Sequence, residues 1–539
     1  MKNLTIKDCD EQLFKRKAAC KTSLIIAMTL CLSSNLAFAS VKPSNLFTNH
    51  MVLQYNMPSP VWGTADPGEK ISIKIAQQKI STTAGSDGRW MVKLGKLKPG
   101  GPYTLVIAGK ADQVTIQDVY AGEVWLCAGQ SNMDMTVARE DRYWCGVFNE
   151  TEEVASANYP LIRVFDTEYT PKAEPQASVN GTWEIVSPTT VGHLSAAAYF
   201  FARDLQKKLN MPIGLITTAF GASTAEAWTR AEALKEQPDL KYLVDNFEEK
   251  IIKFNTDTAG QHAYALAREK WKIAAAEAKA QGKPDVKGPA NKNPDPVRDQ
   301  HNPSVLWNGM VAPLVPYGIR GAIWYQGESN SPTAKLFRKL NETLINDWRK
   351  QWGQGSFPFI YVQLANIGKI VDTIPAKGGS EALKREAQLQ NLSVPNTGMV
   401  VAIDNADPEN MLNVHCKNKQ EIGRRLALIA EATVYGEKIT YSGPMFDKMK
   451  IDGNSIRLHF THTDGGLVAK DGNLKGFAIA GDDKKFVWGT AKIEGDEVVV
   501  SSPGIGQPQA VRYGFGDNPP TSLYNAANLP ASPFRTDAL

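Results

Sequence analysis

Between about residues 120 and 435, short apolar runs take turns with segments of helical pattern. The runs include "IGLITTAF", "RGAIWYQ", "FIYVQLA" and "GMVVAID"; the helical segments include "AAAYFFARDLQKKL" and "KNKQEIGRRLALIAEA". Few folds satisfy that alternation. Strands that are apolar along their whole length are buried on both faces, and strand–helix–strand order calls for a parallel sheet closed by crossover helices. An α/β body is therefore expected over 121–435. Within it, residues 231–300 are charged, Ala-rich and then Pro/Asn-rich, which reads as a helical insertion followed by a loop.

Both flanks have a different texture. Residues 40–120 hold short runs such as "SPVWGTADPGEKISIKI", "AGSDGRWMVKL" and "LKPGGPYTLVIAG", separated by Pro-Gly, Asp-Gly and Gly-Gly turns. That spacing predicts a small β-sandwich-like domain. Residues 436–539 return to short strands, as in "SIRLHF", "KGFAIAG" and "EVVVS". With 539 residues, two or three domains are expected.

Residues 1–39 carry a basic cluster, an apolar run from Leu24 to Leu32, and Ala37-Phe38-Ala39. This is the order of a secretory signal with a small-residue cleavage site, and the run is short for a bilayer span of about 20 residues. Cleavage after Ala39 is expected, giving a secreted or periplasmic protein. No later stretch is apolar for long enough to span a membrane. Losing six Lys/Arg and three Asp/Glu with the signal lowers the formal charge from +4 to +1. Near-neutrality gives no reason to expect nucleic acid. Cys127, Cys145 and Cys416 remain; they leave room for one bridge, Cys127 with Cys145 being nearest in sequence. No CxxC or HxxxH spacing occurs, so no metal and no cofactor is expected.

In an open parallel sheet, ligands bind beyond the carboxyl ends of the strands. Four segments have that placement: Gly129-Gln130-Ser131-Asn132, Gly221, Gln326-Gly327-Glu328-Ser329-Asn330, and the loop from "MVVAID" to His415. They supply a hydroxyl, an imidazole, carboxylates and amides, the parts of an acyl-transfer site. Of seven histidines, His415 alone follows a strand end and precedes a helix in the α/β body. Ser131 is the candidate nucleophile and His415 its candidate base. Trp125 and Trp324 read as core, Arg320 as closing a strand or pairing with a carboxylate, and Glu226 and Trp228 as either core or a sugar-facing wall.

"GEVWLCAGQSNM", "PIGLITTAFGASTAEAW", "LWNGMVAPLVPYGIRGAIWYQGESN" and "VHCKNKQEIGRRLA" resemble, in order, the motifs of the bacterial sialate O-acetylesterase family of SGNH hydrolases. The resemblance implies a flavodoxin-like α/β sandwich and an esterase that removes acetyl groups from sugar hydroxyls, sialic acids first. By position, Ser131 would attack the acetyl carbonyl and His415 would take its proton. The oxyanion would meet the Ser131 and Gly221 N–H groups and a side-chain amide, Gln326 in preference to Asn330. Many SGNH hydrolases place Asp three residues before the histidine; here that residue is Leu412, and Asn413 stands two before. The acid that orients His415 is then Glu328 first, Asp404 second, or a backbone carbonyl. Alternatives are an acetylxylan esterase, a glycosidase using Glu328 with Glu226, and a non-catalytic glycan-binding protein.

Overall fold

The computed structural model describes residues 40–330, 336–370 and 378–537. The expected signal, residues 1–39, lies outside the described residues. Seven strands open the chain: β1 (Lys42–Pro43), β2 (Val52–Gln54), β3 (Ser59–Thr64), β4 (Lys70–Ile75), β5 (Gln78–Thr83), β6 (Arg89–Leu94) and β7 (Gly100–Ala108). In β4 and β6 every second side chain is buried, the period of a sheet with one wet face. β1, β3 and β6 form one small sheet.

The next strand, β8 (Gln113–Gly129), is 17 residues long and belongs to two neighbourhoods. Its first half pairs antiparallel with β7 from Gln113 to Ala121. Its second half, Glu123–Gly129, pairs parallel with β11 (Ile213–Ala219) on one side. On the other side it pairs parallel with β12 (Gly321–Tyr325). With β9 (Tyr159–Asp166), β10 (Trp183–Val186), β13 (Phe359–Val362) and β14 (Thr397–Val400), the order is β10-β9-β11-β8-β12-β13-β14. Only β10 runs antiparallel to its neighbour in this row. The body is thus mixed α/β with a large mixed sheet. On one side of β8 the chain adds β12, β13 and β14 outward in order; on the other, β9 and β10 are laid down first and β11 then inserts between β9 and β8, so strand order reverses at β8.

Alternate residues of these strands feed two cores. Val124, Leu126, Ala128, Ala322 and Trp324 join the core shared with the N-terminal strands. Trp125, Cys127, Ile323 and Tyr325 face the helices Ala196–Leu209 and Lys419–Thr433 on the other side. The first of these helices is capped by Ser195 Oγ, which accepts from Ala198 N at 3.3 Å. The second is capped by Asn418 Oδ1, which accepts from Glu421 N at 3.3 Å. They touch where Gly423 meets Phe200; a β-carbon there would lie 2.3 Å from the Phe200 β-carbon. Helix Phe337–Trp352 covers the opposite face through Leu340, Leu344 and Trp348.

Residues 241–280 form two largely exposed helices, Lys241–Thr256 and Thr258–Ala280, whose loop is tied back by Trp271 Nε1 donating to Val286 O at 2.7 Å. Residues from Met445 onward build further antiparallel sheets around their own core of Ile456, Leu458, Phe477, Val500 and Tyr513. Cys127, Cys145 and Cys416 are separate buried free thiols, so the bridge the sequence left room for is not made. Cys127 is locked inside β8 and belongs to the core on the helical side of the sheet. Among the described residues, no helix is long and apolar enough to cross a membrane.

Candidate functional site

Register brings the candidate loops together. Gly129 of β8 lies opposite Tyr325 of β12. It has φ +148°, and a β-carbon on it would lie 2.2 Å from Tyr325 O, so only glycine lets the two strand ends approach this closely. Gln130 then bridges the loops. Its N–H donates to Tyr325 O at 3.0 Å, and its Oε1 accepts from the N–H groups of Gly327 and Ser329 at 3.1 and 3.4 Å. On the other flank, Phe220 N donates to Gly129 O at 3.0 Å.

Ser131 opens a one-turn helix, Ser131–Asp134, directly after the strand. It is 8% exposed, and its hydroxyl has no hydrogen-bond partner among the described residues. A β-carbon on Gly221 would lie 3.8 Å from the Ser131 β-carbon. The backbone N–H groups of Ser131 and Gly221 meet no acceptor among the described residues. Two free donors therefore flank an unengaged hydroxyl, a geometry suited to receiving an oxyanion.

Gln326 sits farther back. It is fully buried, and its Nε2 donates to Ser223 O at 3.1 Å and to Asn330 Oδ1 at 2.5 Å. Both amide hydrogens are engaged there, which leaves none for an oxyanion. Asn330 in turn donates to Glu226 Oε2 at 2.9 Å. Glu226 and Trp228 are buried, and Trp228 donates to Ser223 Oγ at 2.9 Å, so this pair braces the loop behind the site. Arg320 pairs with Glu123 at 2.7 Å, and Trp125 and Trp324 are core.

His415 lies on the loop before the helix Lys419–Thr433. Its ring packs against Trp144 at a tilt of 33°, with centroids 4.7 Å apart, and the Arg142 guanidinium lies over the same indole at 5.1 Å. Arg142 also pairs with Asp134, three residues after Ser131, at 2.9 Å. Burial, reinforced by the charge of Lys419, pulls the imidazole down to about 4. It is therefore neutral at pH 7, the state a proton acceptor needs. Asn413 fixes the backbone here: its Oδ1 accepts from His415 N and its Nδ2 donates to His415 O, both at 3.0 Å. Leu412 is 72% exposed, so the position where many SGNH hydrolases carry their acid points into solvent.

The carboxylates separate clearly. Asp404 is held by Arg425 at 2.7 and 2.9 Å and by the Tyr524 hydroxyl at 3.1 Å. Burial pushes its carboxyl up, but the hydrogen bonds and charge of Arg425 outweigh it and hold it below the usual range. Asp404 is thus part of an ion pair that ties the body to the C-terminal strands. Glu328 is raised by burial, against the opposing hydrogen bond from Asn132. Its Oε1 accepts from Asn132 Nδ2 at 2.5 Å, and the same amide nitrogen donates to Val414 O at 2.9 Å, beside His415. Glu328 Oε2 and His415 Nε2 are both buried without a partner among the described residues. Glu328 does not hydrogen-bond the His415 ring directly.

Three contributors carried no assigned role in the sequence. Asn132 and Lys419 stood inside the quoted motifs, adjacent to the candidates; Trp144 had no local signal. Among the described residues no group of three His, Cys, Asp or Glu side chains is placed to hold a metal ion.

Known proteins resemble this chain over most of its length. Residues 121–253 and 307–431 match the family model "Carbohydrate esterase, sialic acid-specific acetylesterase". The unmatched gap contains the exposed helix Thr258–Ala280. A carbohydrate acetylesterase from Xanthomonas citri superposes with a TM-score of 0.76 at 31% identity, over 93% of this chain and 100% of that one. The sialate O-acetylesterase of Rattus norvegicus is 28% identical over 568 residues, 95% of this chain and 97% of that protein. That of Homo sapiens is 28% identical over 457 residues, 78% and 76% of the two chains. The chain is an esterase. The chain belongs to the sialic acid-specific acetylesterase family of carbohydrate esterases.

Proposed function

We propose that this chain is an exported carbohydrate O-acetylesterase on an SGNH-type, flavodoxin-like sandwich, acting on O-acetylated sugars, sialic acids first, through an acetyl-serine intermediate. The observation that carries the reading is the unengaged hydroxyl of Ser131, a residue whose β-carbon lies near Gly221, with both backbone N–H groups free. Ser131 Oγ attacks the acetyl carbonyl while His415 accepts its proton, and the oxyanion rests on the two N–H groups. His415 then returns the proton to the leaving sugar oxygen. Water, deprotonated by His415, releases acetate and restores the serine. Glu328 is the acid of the set, because Asp404 is committed to Arg425 and Leu412 faces solvent. Gln326 supports the hole from behind by holding Asn330 and Ser223 O.

The test is hydrolysis of O-acetyl sialic acid, of acetylated xylo-oligosaccharides and of a chromogenic acetyl ester by the wild type and Ser131→Ala. Turnover of the sialic acid ester that disappears in Ser131→Ala supports the reading. Undiminished turnover in the variant refutes the serine route, and preference for the xylan ester reassigns the sugar.

A further inference from the structure

Lys419 is an unusual cation. It is 0% exposed, stands at the first position of the helix Lys419–Thr433, and has no carboxylate partner among the described residues. A helix N-terminus disfavours positive charge, and burying a charge without a counter-ion is costly. The position must therefore return something to the site.

The hydrogen bonds show where. The ammonium donates to Asn132 Oδ1 at 2.7 Å, to Cys416 O at 2.7 Å and to Cys416 Sγ at 3.4 Å. Asn132 Nδ2 donates to Val414 O at 2.9 Å and to Glu328 Oε1 at 2.5 Å. The carbonyls on both sides of His415 are thus gripped by one joined lysine–amide pair. Asn132 is the neighbour of Ser131 in the chain, and it also carries Glu328. We infer that Lys419 and Asn132 form a clamp that sets Ser131, His415 and Glu328 in mutual register, making both of them positioning residues of the esterase reaction. The inference rests on the roles proposed above for those three residues.

The charge has a second consequence. His415 is faced by Trp144 with Arg142 behind it, and by Lys419 from the helix; Asp407 accepts from Asn413, and Lys417 pairs with Glu409. On the far side of the clamp, Glu328 O accepts from Lys384, which is paired with Glu381, and the Tyr325 ring lies 5.4 Å from the Lys419 ammonium. Removing the Lys419 charge should let His415 hold a proton to higher pH.

The experiment measures kcat, KM and the pH profile of acetyl-ester hydrolysis for full-length Lys419→Met, Asn132→Ala, the double variant and Ser131→Ala. Each single change is expected to lower kcat by about 10- to 100-fold with a smaller change in KM, the signature of lost alignment. The double variant should be no worse than the weaker single, because the two act as a unit. Lys419→Met should also move the acid limb of kcat/KM upward, which a merely core-filling lysine would not do. Single variants with wild-type kcat, or additive losses with an unmoved limb, overturn the clamp. If circular dichroism shows that Lys419→Met does not fold, Asn132→Ala decides: full kcat there overturns it. An active Ser131→Ala instead refutes the reading beneath it.

Discussion

Gly221 lies against Ser131, close enough that a β-carbon at 221 would stand 3.8 Å from the serine's own. That distance is an ordinary contact, so Gly221→Ala should fold and keep activity within a few-fold. A branched side chain has no such room. Gly221→Val should displace the serine or its N–H partner and lower kcat by about 100-fold, the scale on which a 1 Å misplacement is felt. Steady-state kinetics of the two variants, with melting temperatures to confirm folding, checks the contrast.

Leu412→Asp is the intuitive repair of a missing acid, and the geometry says it should fail. The side chain is 72% exposed, so a carboxylate there stays in water and away from the ring. Stability should change by no more than about 0.5 kcal/mol, and kcat/KM and its acid limb should stay where they are. A loop that turned inward and let the new carboxylate reach His415 would show itself as an acid limb shifted to higher pH.

The depressed imidazole sets the pH behaviour. With His415 held at about 4 by burial and by Lys419, kcat/KM should stay level as pH falls through the ordinary histidine range near 6.5 and drop only near 4. Stability follows the same group with a definite sign. Between its unfolded value and its folded one, the unfolded chain binds more protons, so this contribution is present above about pH 6.5 and lost as pH falls toward 4. Melting temperature against pH for the wild type and His415→Ala should differ in slope across that window and run parallel above it.

Asp404 and Glu328 should fail in different ways. Asp404→Asn removes the bidentate partner of buried Arg425 and leaves it paired with Glu421, so the loss should stay below the about 3–5 kcal/mol of a fully orphaned buried charge, while turnover per folded molecule should change little. Because Asp404 is held below the usual carboxylate range, its stabilisation is present above an unfolded value near 4 and is lost as pH falls through the folded one. Glu328→Gln should instead keep its melting temperature within a few degrees and lose kcat. Chemical denaturation alongside active-site kinetics separates the two.

Much of the body was legible because its signals are local. Runs such as "GAIWY" are apolar throughout since both faces of β12 are covered. The candidate loops were legible through strand-end placement. What stayed hidden depends on contacts across hundreds of residues. Nothing near residue 144 announces that its indole will meet His415, and nothing near Gln326 says that its amide will turn toward Ser223 and Asn330. The cysteines belong here too: their spacing left room for a bridge, and only the fold shows all three as free thiols.

The long strand β8 carries a consequence for the whole chain. Its first half is held by β7 and its second by β11 and β12, so the backbone that ends at Ser131 begins inside the N-terminal group of strands. That small unit is a foundation rather than an appendage. Loosening it would fray the same ribbon whose far end presents the serine, and ester turnover and the N-terminal sheet should be lost together along a denaturant gradient.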